Sequence, residues 1–152
     1  MFQLGFPTTK LDTFPMGELI AKVSEVFQIF QPEEVFIPHQ GDVHSDHRIT
    51  FEVVSACTKW VRYPSVKRVL AYETLSATEF SLDSSKAFQP NVFVDISSYL
   101  EQKLELLNIY SSELGEFPFP RSETAIRALA QFRGCNSGYD FAEGFQLLLE
   151  RC

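Results

Sequence analysis

Four side chains that can bind a metal or carry a proton lie within six residues, in the segment Asp42-Val43-His44-Ser45-Asp46-His47. His44 and His47 are three positions apart, so both imidazoles can face one point if a helix has begun there. A neutral imidazole is a common zinc ligand, and a neighbouring carboxylate can fix its tautomer. The segment therefore indicates a candidate divalent-metal site.

The same residues also have a purely structural interpretation. Asp and Ser are common at helix starts, where they cap free amide groups. A zinc site needs three or more protein ligands, and the spacing alone does not provide them. His39 is a candidate third ligand, because it directly follows a predicted strand. The alternative for His39 is a loop imidazole with no ligand role.

The hydrophobic pattern predicts the elements that must position these side chains. Apolar residues at three- and four-residue spacings predict helices over 16–31 and 46–62. Short apolar runs predict strands over 34–38 and 67–73. This alternation favours a parallel sheet with right-handed crossovers. Sites in open α/β sheets form outside the carboxyl ends of strands, which is where the His/Asp segment lies.

The second half of the chain is less regular. A polar loop is predicted over 74–90, and long loops in compact domains are often functional. The remaining predicted elements are a strand over 91–95, a helix opened by a capping box of Ser98 and Glu101, a helix capped by Ser122 with Gly134 in its C-terminal turn, and a last helix over 140–150.

Composition limits the classes of function. A chain of 152 residues predicts one domain. The net charge of −7 argues against nucleic acid or an anionic membrane as a partner. No run approaches the roughly 18 apolar residues of a membrane span, and the N-terminus lacks signal-peptide features, so a cytoplasmic location is expected. The three cysteines are too far apart to suggest a zinc-type pair or a disulfide framework.

At the His/Asp segment the chain resembles the PIG-L / LmbE-like deacetylases, zinc-dependent enzymes that remove N-acetyl groups from amino sugars. The stretch from Pro38 to His47 is similar to the second motif of that family. Further similar stretches follow in family order: Leu4–Pro7 before it, then Pro90–Ile96, Pro118–Ser122, Arg133-Gly134, Gly138 and Ala142–Phe145 after it. The resemblance implies a Rossmann-like parallel sheet flanked by helices.

The resemblance also implies roles for individual residues. His47 would be a zinc ligand. His44 would stabilise the tetrahedral oxyanion and help to protonate the leaving amine, and Asp46 would orient and tune His44. His39 has no ligand role in the family pattern. Arg48 is either a contact for a phosphate or carboxylate or a solvated helix residue, and we favour the second interpretation.

Other polar residues are assigned to the substrate. Asp42 is expected to contact it, and Glu73, at the end of the second strand, is well placed to meet a sugar hydroxyl. Arg121 and Arg133 suit a substrate that carries a phosphate or carboxylate. The alternatives are a solvated carboxylate for Glu73 and structural ion pairs for the arginines. Glu143, in the predicted last helix, is interpreted as a supporting partner.

One departure from the family pattern limits the prediction. Family members open with a strand leading into an Ala-His-Pro-Asp-Asp-Glu type motif, which supplies two zinc ligands and the general base. Here no His precedes His39, and Asp12 is the only Asp before Asp42. The chain therefore resembles the C-terminal portion of such an enzyme, lacking the first strands of the family fold. Alone it is expected to bind Zn²⁺ weakly or not at all and to be inactive.

Two classes of function remain open. The first is the C-terminal portion of a zinc-dependent N-deacetylase, whose partners are an N-acetyl amino-sugar conjugate and either further copies of the chain or a missing N-terminal segment. The second is a non-catalytic carbohydrate-binding or pseudo-enzyme module. A truncated product with no function of its own is a third interpretation.

Overall fold

The computed structural model describes all 152 residues of the chain. Its helices and strands, in chain order, are α1 (Met16–Phe30), β1 (Glu34–Pro38), α2 (Ser45–Ala56), β2 (Arg68–Tyr72), β3 (Val92–Asp95), α3 (Leu100–Asn108), α4 (Glu123–Cys135) and β4 (Ala142–Glu150). Short 3₁₀ turns lie at Leu11–Thr13, Ser84–Lys86 and Ser111–Glu113.

The four strands form one sheet in the order β1-β2-β4-β3. β1 and β2 are parallel, with Pro38 opposite Tyr72 at their carboxyl ends. β3 and β4 are antiparallel, with Asp95 opposite Ala142. The predicted α/β class with flanking helices and parallel pairing is confirmed. The sheet as a whole is mixed, not parallel as predicted, because β3 and β4 are antiparallel.

The helix predicted over 140–150 is wrong, because Ala142–Glu150 is strand β4. Its apolar run fits a helix or a strand equally well, and the neighbouring strands β2 and β3 decide the outcome. Gly144 shows how closely the chain packs there: a Cβ at this position would lie 3.0 Å from Pro90 and 3.1 Å from Arg133. Glycine inside a strand often marks such a close approach.

Residues 1–88 and 146–152 form one of two compact units. Inward-facing Val35 and Ile37 of β1 are buried, and α1 packs against them with partly buried apolar side chains such as Val23 and Phe27. Cys57 is fully buried in the same core, and burial raises the pKa of its thiol. This packing holds β1 in place and thereby fixes the position at which the following His/Asp loop begins.

Residues 89–145 form the second unit, which holds β3, α3 and α4. Ser122 caps α4 as predicted, accepting a hydrogen bond from the amide of Ala125 at 3.2 Å. The capping box of Ser98 and Glu101 is wrong. Tyr99 occupies the N-cap of α3 without a side-chain bond, and Glu101 pairs with Arg127 instead. No helix in the chain is long and apolar enough to cross a membrane.

Candidate active site

The four His and Asp side chains come from one loop and the first turn of α2. β1 ends at Pro38, the amide of Asp42 donates to the carbonyl of His39 at 3.2 Å, and α2 begins at Ser45. Arg48 reaches back from α2 and donates to the carbonyl oxygens of Asp42 at 2.9 Å and Val43 at 2.7 Å. Arg48 therefore holds the loop, whereas the sequence had indicated a simply solvated residue.

Asp42 and His47 form the best-defined contact of the site. The ring Nδ1 of His47 lies 2.7 Å from Oδ2 of Asp42, whose side chain is fully buried. A carboxylate only accepts hydrogen bonds, so Nδ1 carries the proton and donates. Nε2 of His47 then carries the lone pair, and 28% of this side chain is exposed. Metal-binding histidines generally use this arrangement.

The environment of Asp42 changes its assignment. Oδ1 of Asp42 accepts a hydrogen bond from the Thr78 hydroxyl at 2.6 Å, so both carboxylate oxygens have protein partners. A buried carboxylate with both oxygens engaged orients His47 instead of contacting a substrate. Its charge also acts on Tyr72, whose pKa is raised by burial first and by Asp42 second.

His44 is the N-cap residue of α2. Its Nδ1 accepts a hydrogen bond from the amide of Asp46 at 3.2 Å. The neutral ring therefore carries its proton on Nε2, which can donate to a ligand. The His44 and His47 rings are stacked, with centroids 4.8 Å apart and an interplanar angle of 22°. One imidazole of this pair thus presents a donor and the other an acceptor.

Asp46 supports the site differently from what the resemblance implied. Its carboxylate accepts hydrogen bonds from the amides of Thr9 at 2.6 Å and Leu11 at 3.3 Å. Backbone amides of the N-terminal segment thus occupy the carboxylate that was expected to orient the His44 ring. Asp46 positions His44 through its own amide, and its side chain anchors residues 9–11 beside the start of α2.

His39 has a structural role. It is 1% exposed, its Nε2 lies 2.7 Å from the carbonyl oxygen of Lys86, and its ring packs edge-on against Phe88 at 5.2 Å. Because a carbonyl only accepts, Nε2 donates and cannot bind a metal in this arrangement. The burial of this ring and its bond to Lys86 favour the loop imidazole of the alternative interpretation, and His39 ties residues 84–88 to the end of β1.

Replacing His39 with alanine is expected to lower the free energy of unfolding by about 1–3 kcal/mol, because the Lys86 carbonyl loses its donor and a buried ring is removed. Zinc affinity should not change. Urea denaturation and a zinc titration of the same variant check both statements. A fall in zinc affinity without a loss of stability would return His39 to the ligand set.

The other substrate candidates divide between the two units. Glu73 is half-buried and directly follows β2, at the same carboxyl edge of the sheet as the His/Asp loop. Arg121 lies in the second unit, where it donates to the backbone carbonyl of Glu113 at 2.6 Å and to its carboxylate at 3.1 Å.

Two further polar residues of the second unit also have protein partners. The guanidinium group of Arg133 stacks over the ring of Phe132, and Glu143 forms an ion pair with Lys103 at 2.6 Å. These partners favour structural roles for Arg121 and Glu143.

Sequence reasoning missed two participants in the site, Thr78 and the Thr9–Leu11 segment. The loop over 74–90 was predicted to be functional, but nothing in its spacing singles out Thr78. Its hydroxyl meets Asp42 only because the loop folds back, with the carbonyl of Ala77 accepting from the amide of Val43 at 3.2 Å.

One atom of the site, Nε2 of His47, is suited to bind a metal ion. An unprotonated Nε2 on a partly exposed ring that a buried carboxylate holds is a suitable zinc ligand. Among the 152 residues, no group of three or more His, Cys, Asp and Glu side chains could hold a metal ion. The chain therefore offers one positioned ligand and would need others to complete a zinc site.

The amino-acid sequence of the chain is similar to that of a curated deacetylase. No family model matches it. A curated relative, diacetylchitobiose deacetylase from Thermococcus kodakarensis, is 27% identical over 118 residues, which cover 74% of this chain and 42% of the relative. The chain thus spans less than half the length of that relative.

Two solved structures have a similar fold. The conserved protein TT1542 from Thermus thermophilus matches with a TM-score of 0.75 and 25% identity over 98% of this chain and 66% of its own. N,N'-diacetylchitobiose deacetylase from Pyrococcus horikoshii matches with a TM-score of 0.70 and 23% identity over 96% and 56%. The fold is shared over nearly all of this chain.

Proposed function

We propose that this chain is the part of a zinc-dependent N-deacetylase that supplies one metal ligand and one hydrogen-bond donor to the reacting acyl group. The substrate class is an N-acetylated amino sugar or its conjugate. The observation that carries the proposal is the contact between buried Asp42 and Nδ1 of His47, which leaves Nε2 of His47 free for a metal. The similarity to diacetylchitobiose deacetylase supports the type of reaction.

Hydrolysis of an amide requires an activated water, a base and a proton donor for the leaving nitrogen. A bound zinc ion supplies the first requirement by acidifying water and polarising the carbonyl. His47 would hold the ion through Nε2, and Asp42 would orient the ring by accepting a hydrogen bond from Nδ1–H.

His44 would act on the substrate oxygen. Its Nε2–H can donate to the carbonyl oxygen as negative charge develops there, and the N-terminus of α2 adds positive potential at the same place. The neutral ring of His44 keeps this proton, so the proton for the leaving nitrogen would come from the general base, which has taken it from the attacking water. The stacking of the two rings would keep His44 close to a metal held by His47.

The other metal ligands and the general base would come from polypeptide outside these 152 residues, either an upstream segment or another chain. The single positioned ligand and the partial coverage of the relatives support this division. Alone, the chain is expected to bind zinc weakly and to release little or no acetate.

The proposal is tested by measuring acetate release from N,N'-diacetylchitobiose in the presence of zinc. The chain alone is compared with the chain extended by any in-frame coding sequence that precedes Met1 in its gene. We expect release by the extended protein and little by the chain alone. Saturable sugar binding by the extended protein, without acetate release at any zinc concentration, would contradict the proposal and favour a carbohydrate-binding module.

A further inference from the structure

Thr78 occupies a position between a backbone amide and the buried carboxylate of Asp42. Its Oγ1 lies 2.7 Å from the amide nitrogen of Thr74 and 2.6 Å from Oδ1 of Asp42. The backbone holds the residue there, because the amide of Thr78 donates to the carbonyl of Thr74 at 2.9 Å. The preceding residue, Ala77, is also bonded to Val43 in the His/Asp loop.

The two contacts fix the direction of each hydrogen bond. The amide of Thr74 can only donate, so the Thr78 oxygen accepts from it and directs its own proton to Asp42. Oδ1 of Asp42 is thereby occupied, and the orientation of the carboxylate plane is set. Oδ2 is then held toward the ring of His47, where only an N–H can satisfy it.

We propose that Thr78 is a positioning residue that fixes His47 in the tautomer with its proton on Nδ1. The loop after β2 keeps Nε2 of His47 unprotonated through a series of three hydrogen bonds. They run from the Thr74 amide to the Thr78 hydroxyl, from that hydroxyl to the Asp42 carboxylate, and from the His47 ring to the same carboxylate. Without the hydroxyl, the Asp42 carboxylate is free to rotate about its Cβ–Cγ bond. The contact to Nδ1 then loosens, and the ring can adopt its other tautomer.

The consequence for metal binding rests on the proposed function, in which Nε2 of His47 is the ligand atom. Partners that hold a metal-binding histidine typically change metal affinity by about 10- to 100-fold when they are removed. The tautomer itself is independent of that function, because it can be observed without metal.

The test uses long-range ¹H–¹⁵N NMR of the imidazole rings in the full 152-residue chain at about pH 8, above the ordinary His pKa of about 6.5. Wild type, Thr78→Val and Thr78→Ser are compared with the matched control Thr58→Val, whose hydroxyl bonds to the Ser55 carbonyl away from Asp42. We expect the Nδ1–H tautomer of His47 in wild type, Thr78→Ser and Thr58→Val. Thr78→Val should show a large fraction of the Nε2–H tautomer and about 10-fold weaker Zn²⁺ binding.

An unchanged His47 tautomer in folded Thr78→Val would overturn the inference. An Nε2–H tautomer in wild type would overturn it without any variant, so the inference can be tested even if Thr78→Val does not fold. A tautomer change in Thr78→Val with unchanged Zn²⁺ affinity supports the positioning role of Thr78 and rejects His47 as the ligand of the proposed function.

Discussion

Replacing His44 with asparagine is expected to slow deacetylation by the assembled enzyme about 10²- to 10³-fold, the usual effect of removing one oxyanion donor. The reason is that Nε2 of His44 is the free donor of the site, since Nδ1 already accepts from the amide of Asp46. Zinc affinity should stay within about twofold of wild type, because His44 is not assigned as a ligand. Acetate release and zinc titration measure the two effects separately.

Asparagine is chosen because it preserves the local structure. Asn is as good an N-cap residue as Asp or Ser, so its side-chain oxygen can accept from the Asp46 amide and α2 is retained. Val43→Ala is the matched control, since this neighbouring side chain is 46% exposed and has no assigned role. Acetate release at the wild-type rate in His44→Asn would remove His44 from the mechanism. Loss of zinc binding in that variant would show that His44 is a ligand instead.

Replacing Asp42 with asparagine is expected to weaken zinc binding about 10- to 100-fold and to lower the free energy of unfolding by about 1–3 kcal/mol. Both neighbours of Asp42 donate hydrogen bonds to it, the Thr78 hydroxyl to Oδ1 and the His47 ring to Oδ2. An amide has only one acceptor oxygen, so its NH₂ group must face one of these donors. The buried site offers no water to relieve that conflict, because the Asp42 side chain is fully buried.

Zinc titration and urea denaturation measure the two effects of Asp42→Asn. Asp12→Asn is the control, because it makes the same chemical change at an exposed carboxylate. A stable Asp42→Asn variant with wild-type zinc affinity would contradict the role assigned to the Asp42–His47 contact. A loss of stability with unchanged zinc affinity would leave Asp42 as a structural residue only.

The first half of the fold could be predicted from the sequence because the residues of each helix or strand indicate that element without reference to its neighbours. The apolar side chains of α1 recur at helical spacings, whereas β1 is a short apolar run bounded by prolines, and the structure has these elements at Met16–Phe30 and Glu34–Pro38. α2 ends at Ala56, earlier than the predicted 62, because Cys57 and the residues after it turn away from the helix.

The strand β4 could not be predicted in the same way. Phe141, Phe145, Leu148 and Leu149 fall at helical spacings, yet the segment lies between β2 and β3, where sheet hydrogen bonds and the close approach at Gly144 favour a strand. Local pattern cannot reveal which neighbours a segment will meet. The assignment of Glu143 to a helix failed for the same reason.

In the candidate site too, features that depend on neighbouring residues could be predicted, whereas contacts between residues far apart in the sequence could not. His44 and His47 could be identified because their partnership is encoded within one helical turn. The contacts of Asp42 with Thr78 and of Asp46 with Thr9 join residues 36 and 37 positions apart. Such pairings depend on how the loops fold back, so the hydrogen-bond partners of Asp42 and Asp46 are seen only in the structure.

The central claim is that Nε2 of His47 is a metal ligand prepared by Asp42. The most direct test is a Zn²⁺ titration of the 152-residue chain followed by ¹⁵N NMR of the imidazole rings, with His47→Ala as control. The claim predicts a saturable shift of Nε2 of His47, with Nδ1 still protonated, at the weak affinity expected of a single protein ligand. A Zn²⁺ response at His39 or His44 that leaves Nε2 of His47 unchanged would contradict it.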